Sequence, residues 1–185
     1  MTAKAKGSPL ISTMEFIRVE KGADALERVL SRLRAEERDR ISTVTPTEEV
    51  PLDLAVSLWR AADEEFRSDD PDWAERAGGF AIEVRGVRMY SGLLRKASPT
   101  EFLTQRVSLF RLYYHPGNME VVSEEEQHAV LRLVGFESTD RLFCRRQTGG
   151  LRRALIEAGG HESTASHVRC VLEGDAFCEW ELQWR

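Results

Sequence analysis

The stretch His167-Val-Arg-Cys170-Val-Leu-Glu-Gly174-Asp-Ala-Phe-Cys178 places two of the three cysteines of this chain around one Gly-Asp turn, with a histidine three positions before the first thiol. Its residues read as strand, turn, strand: a terminal hairpin over about 165–172 and 177–184. A turn centred on Gly174 sets Cys170 directly opposite Cys178, on the same face. Opposed Cβ atoms of an antiparallel pair stand about 4.5–5.5 Å apart, a spacing that suits two thiolates each about 2.3 Å from a shared ion. Strict alternation would send His167 to the other face from Cys170. A bulge or a late strand start is therefore needed to bring the imidazole to the thiols.

Immediately upstream, a helix from about Thr139 or Arg141 to Ala158 ends at Gly159-Gly160, where a helix C-terminus is expected. Cys144 sits near its start. If this helix packs on the hairpin, a third thiol reaches the other two. Three soft thiolates and one imidazole suit Zn²⁺ in a closed tetrahedral site, a structural arrangement with no open position for a reacting water. Glu173, Asp175 or a water could stand in for His167, and three thiols acting as small buried hydrophobes are the alternative to any metal.

Further out, Met119 to Val122 and His128 to Phe136 read as two strands separated by Glu124-Glu125-Glu126. Four helices precede them. The first, Gly22 to Arg40, carries Ala25, Leu26, Val29, Leu30 and Leu33 on one face. The second starts at Pro51 and runs to Phe66; the third spans Asp72 to about Lys96 with an interruption near Gly78-Gly79 or Gly86. The fourth opens at Ser98-Pro99-Thr100-Glu101 and stops at His115-Pro116-Gly117. Helices first and strands last predict an α+β fold, with N-terminal helices packed on a C-terminal antiparallel sheet that includes a late helix and a terminal hairpin. Residues 1–12, small, polar and basic, are expected to be a disordered lead-in to a single domain over 13–185.

The 185 residues suffice for one core that buries about 70% of the unfolded surface, so neither disulfides nor metal are required for folding. With 42% apolar and 31% charged residues and a net charge of −5, the chain offers no general attraction to nucleic acid or anionic lipid. No apolar run approaches the roughly 18 residues of a membrane span, and no signal-peptide pattern follows the first lysines, so a cytoplasmic location is expected. An odd number of cysteines argues against a disulfide framework. The pairs Arg145-Arg146 and Arg152-Arg153 could contact phosphate, although solvated helix faces account for most such arginines.

The run Cys144-Arg-Arg-Gln-Thr-Gly-Gly, the strand with Cys170, and Gly174-Asp-Ala-Phe-Cys178-Glu-Trp180 together resemble the C-terminal part of the 4-vinyl reductase domain family. The likeness covers about 140–184, with helix order and length agreeing before it, and the chain also looks like myxobacterial proteins of similar size. In that family, and in the sensor domains of aromatic-responsive bacterial activators, the pattern holds zinc; here it implies Cys144, His167, Cys170 and Cys178 as ligands. The departure is His167, where the aromatic sensors carry an acidic residue. Related folds are the haem nitric-oxide-binding domain and the small TRAPP subunits. The resemblance implies a compact homodimeric α+β domain that holds a small apolar molecule or a protein partner and does not catalyse.

The expected function is a non-enzymatic regulatory domain that binds a small hydrophobic ligand, signals through protein contacts and carries a structural zinc. Phe80, Met89, Tyr90, Leu93, Phe102, Phe110 and Tyr113 are the expected pocket lining. The competing expectation is a dimeric scaffold, resembling TRAPP subunits, that binds a protein partner without a small ligand. There is no phosphate-cradling Gly-rich loop, no recognisable DNA-binding helix pair and no nucleophile elbow. Haem is disfavoured, because Tyr90-Ser91-Gly92-Leu93-Leu94 is not the Tyr-x-Ser-x-Arg signature of haem nitric-oxide sensors.

Overall fold

The computed structural model describes residues 3–86, 98–137 and 140–185. The elements are β1 (Lys4–Lys6), α1 (Ser8–Glu20), α2 (Ala23–Ser31), α3 (Ala35–Thr43), β2 (Glu49–Pro51), α4 (Leu52–Phe66) and α5 (Trp73–Ala81), followed by a π-turn at Ile82–Gly86. After α6 (Pro99–Tyr113) come β3 (Tyr114–His115), β4 (Asn118–Glu125), β5 (His128–Val134), α7 (Arg141–Glu157), β6 (Thr164–Arg169) and β7 (Cys178–Gln183). The architecture is the expected α+β: helices first, then a four-stranded antiparallel sheet in the order β4-β5-β7-β6 with α7 laid on it.

Period-two burial makes the sheet. Ala129, Leu131 and Leu133 of β5 stand opposite Leu182, Trp180 and Cys178 of β7, and all six are buried. Helix α7 covers this face, where Thr148 Oγ1 accepts a hydrogen bond from Trp180 Nε1 at 2.9 Å. Its first turn is capped by the Asp140 carboxylate, which accepts from the Leu142 amide at 2.8 Å. The other side of α7 crosses α5 at very short range. A Cβ on Gly78 would overlap the Arg146 carbonyl oxygen, and one on Gly149 would overlap that of Glu75, so each glycine is what permits the crossing.

Three expectations change. The segment expected to be a disordered lead-in, residues 1–12, instead supplies β1 and the first turns of α1. Ala3, Ala5 and Leu10 are buried, and β1 is the middle strand of a second small sheet, β2-β1-β3. Lys4 and Ala5 pair on one side with Pro51 and Val50 and on the other with His115 and Tyr114, so non-local pairing orders a segment with little local signal. The single helix expected over Gly22 to Arg40 is two, because the apolar stripe ends at Leu33 and the Glu37 side chain caps a new start at the Arg34 amide. The helix expected over Asp72 to Lys96 ends at Ala81 and passes into the π-turn; its remainder lies outside the described residues.

Candidate metal centre

The hairpin register decides the site. From Thr164↔Gln183 to His167↔Trp180 the pairing runs regularly, then shifts by one residue, so that Arg169 faces Glu179. The shift is a β-bulge at Val168, whose side chain is exposed. Beyond the bulge the chain leads into Cys170 on the side of Cys178, in the register expected from the sequence, while before it His167 lies across from buried Trp180, two residues along from Cys178. The parity conflict between His167 and Cys170 is thereby removed. The His167 ring stacks on Trp180 with centroids 4.6 Å apart, which sets the imidazole plane.

Cys144, on the face of α7 that meets the sheet, completes the group. One ligand atom from each of Cys144, His167, Cys170 and Cys178 lies within 4.8 Å of all the others, and the three thiols are buried and free. The loop between the strands is held independently of the cluster. Asp175 accepts from the Cys170 amide at 2.8 Å, and Glu173 pairs with Arg141 at 2.8 Å, so the two carboxylates considered as substitutes for His167 are engaged elsewhere. Gly174 supplies the left-handed turn at φ 98°.

The donor set fits a tetrahedral ion. Sulfurs about 2.3 Å from a zinc ion at tetrahedral angles are about 3.8 Å apart, and Cys144 Sγ and Cys178 Sγ are 3.8 Å apart. His167 Nε2 is buried and has no hydrogen-bond partner among the described residues, which suits an imidazole nitrogen that ligates a metal. Hydrogen bonding with Cys144 pulls the Cys178 thiol below the ordinary thiol range, against the opposing effect of burial. The same Cys144–Cys178 contact, together with burial, pushes Cys144 far above the ordinary thiol range, and burial raises Cys170. One anionic sulfur is thus already favoured at the site.

Four of the expected pocket residues, Phe80, Phe102, Phe110 and Tyr113, are among those described. Phe80 packs edge-on against Phe16 at 5.6 Å in a cleft between α1, α5 and α7. Phe102 packs with Ala154, Ala158 and Ile82, a cluster separate from the main core, while Phe110 joins Tyr114 and Phe136 and Tyr113 is half-buried against the core. Met89, Tyr90 and Leu93 lie outside the described residues. The arginine pairs do not form a phosphate site: Arg145 bonds the Pro71 carbonyl beside Asp72 and Glu75, and Arg153 pairs with Glu83 and Glu157. Arg146 is buried, which the doublet by itself does not reveal. Its position three residues after Phe143 and four before Gly150, on the buried side of α7, is the available signal.

No family model and no curated protein matches the sequence. Solved structures do. An H-NOX protein of K. algicida, in the Fe(II) unliganded state, superposes with a TM-score of 0.73 at 12% identity, covering 97% of this chain and 96% of that one. An H-NOX protein of S. oneidensis in the Fe(II)NO ligation state gives 0.73 at 15% identity, covering 97% and 99%. The chain has the H-NOX fold. At this identity the likeness concerns the fold, one of the relations that the 4-vinyl reductase resemblance implied.

Haem, named for other H-NOX structures of the same fold, does not fit the histidines of this chain. His115 lies in β3 beside Glu49, His128 opens β5, His161 is exposed after α7, and His167 belongs to the thiol cluster. None is on a helix, and the three thiols are gathered in the cluster, so neither residue type offers an axial ligand elsewhere. Among the described residues no helix is long and apolar enough to cross a membrane.

Proposed function

We propose that this chain is a non-enzymatic regulatory domain that binds a small hydrophobic ligand and transmits its state through protein contacts, with Zn²⁺ held by Cys144, His167, Cys170 and Cys178 as a structural clamp. The convergence of four ligand atoms from α7, β6, the residue just after β6 and the start of β7 within 4.8 Å carries the metal part of this reading. Zinc there would join helix to hairpin and supply folding energy; with four protein ligands it leaves no position for substrate. Kinship with the 4-vinyl reductase family is supported by this spacing of ligands on an H-NOX fold. The ligand part rests on the fold shared with the nitric oxide-ligated S. oneidensis protein. Because the histidines do not fit haem, the ligand is an organic molecule taken up by apolar side chains, and the signal passes to a partner, with a homodimer as the working assembly.

Elemental analysis of the purified chain is expected to find about one zinc per chain, with a chelator lowering the melting temperature. Protein that takes up no zinc when it is supplied, and whose stability ignores the chelator, overturns the clamp. Native mass spectrometry then addresses the rest: a retained small molecule supports the sensor, and a ligand-free dimer points to the adaptor.

A further inference from the structure

Arg146 is 5% exposed, on the buried side of α7. Its Nε and Nη1 are buried and have no hydrogen-bond partner among the described residues. All Asp and Glu residues of the chain fall among the described residues, and none pairs with this guanidinium. Arg145 and Arg153 of the same helix, by contrast, are supplied with carboxylates. The neighbours that Arg146 does have are aromatic residues. Its guanidinium carbon lies 4.8 Å from the centroid of the Trp59 ring, and Tyr114 is the titratable neighbour, itself 5.2 Å from Phe143 and 5.4 Å from Phe110 between ring centroids.

A ring face attracts the positive charge but leaves the in-plane N–H donors unused. Burying a cation with open donors and no counter-charge is among the costliest arrangements in a protein interior. Methionine or leucine would serve packing better at this position. A guanidinium kept in such surroundings is suited to an anion that is not part of the chain. The aromatic walls select an anion that brings an apolar body with it, since a small inorganic ion would lose its hydration and gain only the one cation.

We propose that Arg146 anchors the carboxylate of a small aromatic acid whose ring packs among Trp59, Tyr114 and Phe143. This rests on the ligand-binding reading above and narrows it to an anionic ligand. The test compares benzoate with its neutral analogue benzyl alcohol on the full-length chain, by calorimetry and thermal shift, in wild type, Arg146→Met and Arg146→Lys. Benzoate is expected to bind wild type and raise its melting temperature, with benzyl alcohol about 10- to 100-fold weaker. Arg146→Met should lose benzoate affinity by a similar factor while keeping that for the alcohol, and Arg146→Lys should retain an intermediate affinity. Benzyl alcohol binding as tightly as benzoate, benzoate binding that survives Arg146→Met, or chloride stabilising as strongly as benzoate overturns the anchor and leaves the apolar-ligand reading standing. Binding of neither molecule removes both. If Arg146→Met does not fold, the comparison of acid with alcohol on wild type alone decides.

Discussion

At the scale of single residues, the four-ligand cluster and Arg146 carry opposite lessons. Cys144, His167, Cys170 and Cys178 are legible in the sequence because thiols are scarce in this chain and their spacing about a Gly-Asp turn has few structural meanings. Arg146 is hidden, because an arginine in a doublet looks solvated until the helix face it occupies is known. Cys170→Ser and Cys178→Ser are expected to abolish zinc binding and to lose the metal-linked part of the stability, several kcal/mol on the order expected of structural sites. Calorimetry with and without chelator checks this: the parent should lose melting temperature and the variants should not. Proton competition gives a sign as well. Thiolate ligands must stay deprotonated, so zinc retained after dialysis should fall as pH falls.

At the scale of elements, the bulge at Val168 is what makes the ligand set possible. It lets His167 and Cys170, three positions apart, share a face of the sheet. Deleting Val168 keeps all four ligands in the chain but turns His167 away, and zinc content should drop although Cys144 and Cys178 are untouched; metal analysis of the deletion tests this. The seam between α5 and α7 is equally specific. Gly149→Ala would press a methyl into the Glu75 carbonyl, and a loss of about 2 kcal/mol is expected, read as a fall in melting temperature of roughly 4–8 °C for a chain of this size. Helix α3 supplies a pH-dependent tie. Hydrogen bonds from Arg34 and then Ser57 of α4 hold the Glu37 carboxyl at about 2, below its ordinary 4.5. A depressed folded-state value means that its contribution is present above about 4.5 and lost as pH falls toward about 2. Glu37→Gln should therefore flatten that part of the stability profile, measured by urea melts across the acid range.

At the scale of the whole molecule, the N-terminus shows where local reading stops. Removing residues 1–7 would cost little if they were a lead-in. As the middle strand of β2-β1-β3, buried at Ala3 and Ala5, β1 joins the start of α4 to the end of α6, so the truncation is expected to lower the urea midpoint markedly or to yield an aggregating chain. By itself the sequence determined the α+β class, the order of the longer elements from Pro51 onward, the hairpin register at Cys170 and the four residues that meet in the Cys/His cluster, because hydrophobic period, turn residues and rare thiols are local signals. Only the tertiary structure decided that His167 faces the thiols, that β1 is interior, that the helix expected over 22–40 breaks in two, and that a guanidinium lies over Trp59 without a carboxylate. Each depends on which distant segments press together, and non-local packing leaves no trace in a run of neighbouring residues.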